Sequence, residues 1–111
     1  MRFRIEILPD AEQDIIEVAR WIEKRSKSFL ASIRWIRRLR RSIVSLQIRP
    51  NRCPIVPDLE VAGCAVRELL HGRRSGIYRV FFVIKSGTVH ILAVRHGARS
   101  EPDFDDITFD E

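Results

Sequence analysis

Cysteine, histidine and long apolar segments are scarce in this chain of 111 residues. The two cysteines, Cys53 and Cys64, lack the CxxC spacing of zinc or redox sites, and the three histidines supply no second pair of ligands. No run approaches the ~20 apolar residues of a membrane span. The N-terminal MRFRIEIL alternates charged with apolar residues, unlike a signal peptide. We therefore expect reduced cysteines, no metal or other cofactor, and a soluble, cytoplasmic protein.

Lysine is also rare, because arginine supplies most of the 20 basic residues. The formal net charge is +5, but residues 100–111 hold six of the 15 acidic residues and no basic one, so residues 1–99 carry +11. Arginine forms paired hydrogen bonds with phosphate and carboxylate groups. The composition predicts one small basic domain over residues 1–99, an acidic tail over 100–111, and a polyanionic partner.

The first third of the chain predicts a strand and a helix. Apolar residues alternate with charged ones at Phe3, Ile5 and Ile7, as in a half-buried strand that Pro9 ends. Asp10 is the expected N-cap of a first helix, whose apolar residues recur at helical spacing to about Arg25.

A second apolar stripe predicts a longer helix from Phe29 to about Leu46, paired antiparallel with the first. The opposite side of this helix carries an arginine run, for which a solvated face is the ordinary interpretation and a contact with nucleic acid or another protein the alternative: Arg34, Arg37, Arg38, Arg40 and Arg41. Residues 49–63 contain three prolines and a glycine among mixed polar and apolar residues, which predicts an irregular loop.

Residues 64–99 contain three alternating apolar runs edged by basic residues, which predict a strand meander. Ser86-Gly87 predicts a two-residue hairpin turn. A regular ladder from that turn pairs Arg79 with Val94 and Tyr78 with Arg95, which places Arg79 and His96 on one sheet face and Tyr78 with Arg95 on the other.

The order of elements predicts an α+β fold of two layers. An N-terminal strand is followed by an antiparallel helix hairpin and a three-stranded antiparallel meander, in the order β-α-α-β-β-β. A sheet with one apolar face must be covered, and the helix pair is available to cover it.

This order, with three local motifs, resembles the RelE/ParE toxins: Arg67-Glu68-Leu69, Tyr78-Arg79-Val80-Phe81-Phe82 and Val94-Arg95-His96-Gly97. These are the toxin halves of bacterial type II toxin-antitoxin modules, also called plasmid stabilization proteins. The resemblance implies a cognate antitoxin as partner and a toxin-antitoxin hetero-oligomer. It also implies one of two activities, because one branch poisons DNA gyrase and the other cleaves mRNA on the ribosome.

The resemblance implies site residues as well. For a metal-independent nuclease, Arg79 aligns with the phosphate-binding arginine of the RelE-like toxins, Arg67 corresponds more loosely to a basic residue, and His96 is the candidate base or acid. Residues expected to contact substrate or partner are Arg67, Arg73, Arg74, Tyr78, Arg95 and Arg99. Neither branch implies a metal or a cofactor.

One departure from the nuclease pattern favours the gyrase branch. The RelE-like nucleases commonly carry a tyrosine or a further acid or base near the C-terminal end of the sheet, whereas the single tyrosine here, Tyr78, precedes Arg79. Arg79 also has a structural interpretation, an ion pair with Glu68 across the sheet. An inactive module that only binds antitoxin is the third possibility.

The acidic tail leaves two interpretations open. Its acidic residues, interspersed with Phe104, Ile107 and Phe109, either fold back onto the basic sheet rim in the manner of an antitoxin or form a solvated terminus.

Overall fold

A computed structural model describes residues 1–73, 76–97 and 104. Strands and helices follow one another as β1 (Arg4–Ile7), α1 (Pro9–Ser26), α2 (Phe29–Val44), β2 (Ile55–Val61), β3 (Cys64–His71), β4 (Tyr78–Lys85) and β5 (Thr88–His96). Two short 3-10 turns, Ser45–Gln47 and Pro50–Arg52, connect α2 to β2. No helix within this part of the chain is long and apolar enough to cross a membrane.

The five strands form one mixed sheet in the order β1-β5-β4-β3-β2. Strand β1 runs parallel to β5, and the other neighbours are antiparallel. The predicted α+β architecture is confirmed. The predicted loop over residues 49–63 is wrong for Ile55–Val61, which adds a fourth strand to the meander. This strand lies at the edge of the sheet, where Pro57 interrupts no inner ladder, and its register shifts between Ile55 and Glu60.

The helix hairpin begins two residues earlier than predicted. Pro9 is the first residue of α1 and Leu8 precedes it in an extended conformation, so Asp10 lies in the first turn and is not the N-cap. Ser28 caps α2, with its hydroxyl accepting a hydrogen bond from the Ala31 N–H at 3.1 Å.

The two helices are antiparallel, as predicted. Glu12, near the start of α1, forms an ion pair with Arg40, near the end of α2, at 3.2 Å. Their shared apolar side packs onto one face of the sheet.

Both faces of the central strands are apolar. The helix-facing core includes Ile15, Leu39, Ile43, Tyr78, Val80, Phe82, Ile91 and Val94. The opposite face holds a second buried cluster, namely Val56, Val61, Val66, Phe81, Val83, Leu92, Ala93 and Phe104.

Phe104 shows that the chain returns to the sheet after β5. Its ring lies edge-on to Phe81 with the centroids 5.8 Å apart, and the residue is buried. The expectation of a solvated terminus is therefore wrong at this residue. The two interpretations of the remaining tail concern positions that lie outside the described residues.

The β4-β5 hairpin turns at Ser86-Gly87, as predicted. Both residues have positive φ, 52° and 74°, which two-residue hairpin turns of the primed type require. The pairing begins with Lys85 opposite Thr88 and continues regularly to Phe82 opposite Ile91.

A β-bulge then changes the register. Leu92 is an extra residue on β5, so Phe81 pairs with Ala93, and every later pair is shifted by one position from the predicted ladder. Tyr78 is opposite His96 and Arg79 is opposite Arg95. This shift decides which side chains meet at the open end of the hairpin.

Candidate functional site

Aromatic rings meet where β4 begins and β5 ends. The Tyr78 and His96 rings are nearly perpendicular, with centroids 5.3 Å apart, and Tyr78 also lies edge-on to Trp35 of α2 at 5.2 Å. Burial raises the pKa of the Tyr78 phenol, so this group is protonated at neutral pH. Tyr78 and His96 therefore face the helices together.

Asp14 of α1 joins this end of β5. Its Oδ2 accepts hydrogen bonds from the Val94 backbone N–H, at 2.9 Å, and from the Arg95 guanidinium. Burial raises the pKa of the Asp14 carboxyl, although both hydrogen bonds and the positive charge of Arg95 favour the ionised form. The contact fixes α1 against β5.

A cavity of about 270 Å³ lies beside this contact. Its walls bring a carboxylate, a guanidinium, an imidazole and a phenol together with apolar surface, through Asp14, Glu17, Val18, Trp21, Tyr78, Val94, Arg95 and His96. Three residues predicted from the sequence, Tyr78, Arg95 and His96, thus line one cavity.

Arg79 lies on the other face of the sheet. Its Nε is 2.6 Å from Glu68 Oε2, and its guanidinium lies over the Phe81 ring, 4.7 Å from the centroid. The ion pair with Glu68 predicted from the sequence is therefore present. The prediction that Arg79 and His96 share a sheet face is wrong, because the bulge at Leu92 moves His96 opposite Tyr78.

Arg79 and Arg95 are opposite each other in the ladder, yet each has its own carboxylate partner. Arg79 pairs with Glu68 and Arg95 with Asp14. Like charges directly opposite in a sheet destabilise it. Turning the two guanidinium groups to different acids relieves that repulsion.

The Arg67 guanidinium forms hydrogen bonds with the backbone of the segment that precedes β2. Its Nη1 donates to the carbonyl oxygens of Asn51, at 3.0 Å, and Cys53, at 2.7 Å. Arg73 is exposed after β3. The predictions for Arg74 and Arg99 lie outside the described residues.

Asp14 is not among the site residues predicted from the sequence. The signal for it was a lone carboxylate within the apolar stripe of α1, since Asp14 lies at helical spacing from Ala11 and Val18. Equally unpredicted is the hydrogen bond of 2.8 Å between Ser42 Oγ and His71 Nδ1, which joins residues far apart in the chain.

Within the described residues, no group of three or more His, Cys, Asp or Glu side chains is placed to hold a metal ion. Cys53 and Cys64 are both free thiols, and burial raises the pKa of Cys53.

An N-terminal strand, a helix hairpin and an antiparallel meander in one mixed sheet define a RelE/ParE-like toxin fold. The family described as the ParE toxin of the type II toxin-antitoxin system, parDE, matches residues 5–101. This match spans most of the chain, which therefore belongs to the ParE toxin family. A search of the curated proteins found no match. Family membership implies a cognate antitoxin as partner.

Proposed function

We propose that this toxin arrests bacterial growth by binding and poisoning DNA gyrase in the cytoplasm. The observation that carries the proposal is the separation of Arg79 from His96. Arg79 lies on the outer face of the sheet against Glu68, and His96 lies on the helix-facing side against Tyr78.

A nuclease of this type needs its groups in one place. Cleavage of RNA without a metal requires a base for the 2′-hydroxyl, a cation for the phosphate and an acid for the leaving oxygen. The three residues expected to supply them have different surroundings. Arg79 pairs with Glu68 on one face of the sheet, and His96 lies on the other face. Arg67 donates hydrogen bonds to the carbonyl oxygens of Asn51 and Cys53. Inhibition through binding requires no such constellation.

Endoribonuclease activity is the second candidate, and the cavity beside α1 favours it. Asp14, Arg95 and His96 line that cavity together, so a carboxyl group, a cation and an imidazole are neighbours there. The nuclease hypothesis predicts that His96→Ala abolishes RNA cleavage and leaves antitoxin binding nearly intact.

The deciding experiment is induction of the chain in a bacterial host without its antitoxin, with DNA and protein synthesis followed separately by pulse labelling. Gyrase poisoning predicts an early block of DNA synthesis with filamentation, and loss of supercoiling by purified gyrase when purified toxin is added. An early fall in translation with cleaved transcripts would instead establish the nuclease. Unchanged growth of cells that accumulate the folded protein would identify an inactive antitoxin-binding module.

The family's antitoxin is expected to neutralise the basic surface of the toxin. We propose that an acidic segment of the antitoxin folds over it, with apolar side chains supplying affinity. Co-purification of the two proteins, with dissociation of the complex at high salt, is the expected result. A complex insensitive to salt would assign the affinity to apolar contacts.

A further inference from the structure

A cationic groove runs between the second half of α2 and the end of β3, outside the cavity beside Asp14. Its lining includes Trp35, Arg38, Arg41, Ser42, His71 and Arg73. No aspartate or glutamate is among the described residues that line it. Within the described part of the chain, the groove therefore presents three guanidinium groups to solvent with no carboxylate in its lining to neutralise them.

These three arginines differ from those that hold the fold together. Arg40, Arg79 and Arg95 each pair with a carboxylate. The guanidinium groups of Arg38, Arg41 and Arg73, by contrast, form no ion pair or hydrogen bond within the described part of the chain, and all three residues are exposed. Exposed arginines close together repel one another, so an anion bound between them is favoured.

The groove also remains cationic independently of His71. Burial and the positive charge of Arg38 lower the pKa of the His71 imidazole, so this histidine is neutral at physiological pH. Its Nδ1 forms a hydrogen bond with the Ser42 hydroxyl. The charge of the groove thus comes from arginine alone, which does not titrate in the physiological range.

An aromatic cleft adjoins the groove and shares Trp35 and Gly76 with it. Its lining includes Trp21, Arg25, Trp35, Tyr78 and His96. The Trp21 residue is 49% exposed, and the Arg25 guanidinium lies over its ring at 5.2 Å from the centroid. An exposed indole next to a cation offers a surface on which a flat ring can stack.

Trp35, at the junction of groove and cleft, has an unused donor. Its Nε1 is buried and has no hydrogen-bond partner among the described residues. Buried indole N–H groups normally find an acceptor. The donor itself is covered by protein, so Trp35 contributes to the two sites as a shared apolar wall, and a ligand that carries both anionic groups and a flat ring would match them.

We propose that the groove and the cleft together bind a single strand of nucleic acid. Phosphates lie along Arg38, Arg41 and Arg73, and an unpaired base stacks on Trp21. A cationic channel beside aromatic side chains is the usual means of binding single strands. An acidic peptide would use the arginines and leave the aromatic cleft unused, and a duplex has its bases stacked internally.

The inference deepens the proposed function and rests on it for its biological role. A gyrase poison with such a surface would contact a DNA strand that the enzyme opens, in addition to the gyrase protein. The binding itself is a property of this chain, and is measurable without gyrase.

The test is fluorescence anisotropy of a labelled oligothymidylate of about 15 nucleotides, titrated with the purified full-length chain. The double variant Arg38→Gln/Arg41→Gln is expected to weaken binding about tenfold or more. It should also reduce the slope of log affinity against log salt by about 1.4, since each arginine–phosphate pair on a single strand accounts for about 0.7 of that slope.

The matched control is Arg2→Gln/Arg4→Gln, which removes the same charge near the opposite end of the sheet, where Arg4 pairs with Thr88. The control is expected to stay within about twofold of the wild type, because net charge alone acts only through a screened field.

The aromatic part has its own variants. Trp21→Ala is expected to weaken binding about fivefold to a hundredfold, which is the usual contribution of one stacked base, and Trp21→Phe is expected to restore part of it. Circular dichroism establishes that each variant is folded. If Trp21→Ala binds as the wild type does, the stacking site is refuted.

Competition experiments separate the possible ligands. Unlabelled single-stranded DNA or RNA is expected to displace the probe, and their relative strength identifies which of the two the site prefers. The proposal is overturned if oligoglutamate of equal charge competes as well as the oligonucleotide, if duplex competes better than single strands, or if the Arg2/Arg4 control is weakened as much as the groove variant.

Gyrase assays then distinguish failure of this proposal from failure of the proposed function. If the wild type binds single strands but leaves gyrase supercoiling unchanged, the proposed function fails and the nucleic-acid site stands. If the wild type inhibits gyrase but does not bind oligonucleotides, the site fails and the proposed function stands.

Discussion

Arg79 and Glu68 form an ion pair of 2.6 Å on the outer face of the sheet, where their side chains are only 16% and 21% exposed. The pair connects β4 to β3 diagonally, since Arg79 is opposite Leu70 and Glu68 is opposite Phe81 in the ladder. The residue most readily assigned to phosphate binding from the sequence is thus held by a neighbouring carboxylate.

This relationship predicts a measurable coupling between the two side chains. In a double-mutant cycle with Glu68→Gln and Arg79→Gln, the free energy of unfolding should show a coupling of about 1 kcal/mol, because the pair is partly screened from water. The Glu12–Arg40 pair is the control. Its side chains are 39% and 47% exposed, so its coupling should not exceed about 0.5 kcal/mol. Urea unfolding measures both coupling free energies. Equal values would show that the burial of Arg79 does not strengthen its interaction with Glu68.

Asp14 gives a prediction in which two substitutions differ. Asp14→Ala should lower the free energy of unfolding by about 2 to 3 kcal/mol, because the Val94 N–H and the Arg95 guanidinium are both deprived of their acceptor. Asp14→Asn should cost much less, since its amide oxygen still accepts from Val94 and the neutral group avoids the cost of burying a carboxylate. Urea unfolding at neutral pH makes the comparison. Equal destabilisation by the two substitutions would mean that the negative charge itself stabilises the fold.

The same carboxyl predicts a dependence on pH. Its pKa is raised in the folded state, so above the unfolded pKa of about 3.9 the folded protein binds more protons than the unfolded one. The contribution of Asp14 to the free energy of unfolding therefore decreases as the pH rises through the folded pKa of this carboxyl. The wild type should become less stable relative to Asp14→Asn over that window. A difference that stays constant from pH 4 to neutral, in parallel thermal melts, would contradict the raised pKa.

The two apolar faces of the sheet explain which parts of the fold could be predicted from the sequence. Strand β1 and both helices have one buried side, so their period is visible, and Ser86-Gly87 marks its turn by residue type. Strands β4 and β5 are covered on both faces, and their continuous apolar runs contain no alternation that would reveal the bulge at Leu92.

The prediction of which sheet face each candidate site residue occupies failed for the same reason, the undetected bulge. A regular ladder without the bulge places Tyr78 opposite Arg95 and puts Arg79 on the same face as His96. The extra residue Leu92 shifts these partners by one position, so the predicted assignment to sheet faces is wrong. Strand β2 was missed because prolines are typical of loops, and only its position at the sheet edge makes Pro57 compatible with a strand.

His71 predicts a pH dependence of the opposite sign to that of Asp14. Its pKa is lowered in the folded state, so the unfolded chain binds more protons below the unfolded pKa of about 6.5. The contribution of His71 to the free energy of unfolding is therefore reduced at acid pH, and it recovers as the pH rises through the unfolded pKa of the imidazole. His71→Gln should flatten this part of the profile in thermal melts. Because Arg38 contributes to the shift, Arg38→Gln should raise the pKa of His71 measured by NMR, whereas Arg37→Gln, outside the groove, should change it less.

Phe104 tests whether the end of the chain belongs to the folded domain. It is 8% exposed in a cluster with Phe81 and Leu92, and its ring contact with Phe81 is edge-on. Phe104→Ala should therefore lower the free energy of unfolding by about 3 kcal/mol, the usual cost of deleting a buried aromatic ring. Phe29→Ala is the matched control, since Phe29 is 67% exposed and should cost less than about 1 kcal/mol. Truncation after Gly97 should be at least as destabilising as Phe104→Ala. If both changes leave the unfolding midpoint where it was, the outer face of the sheet is stable without Phe104, and the domain ends at β5.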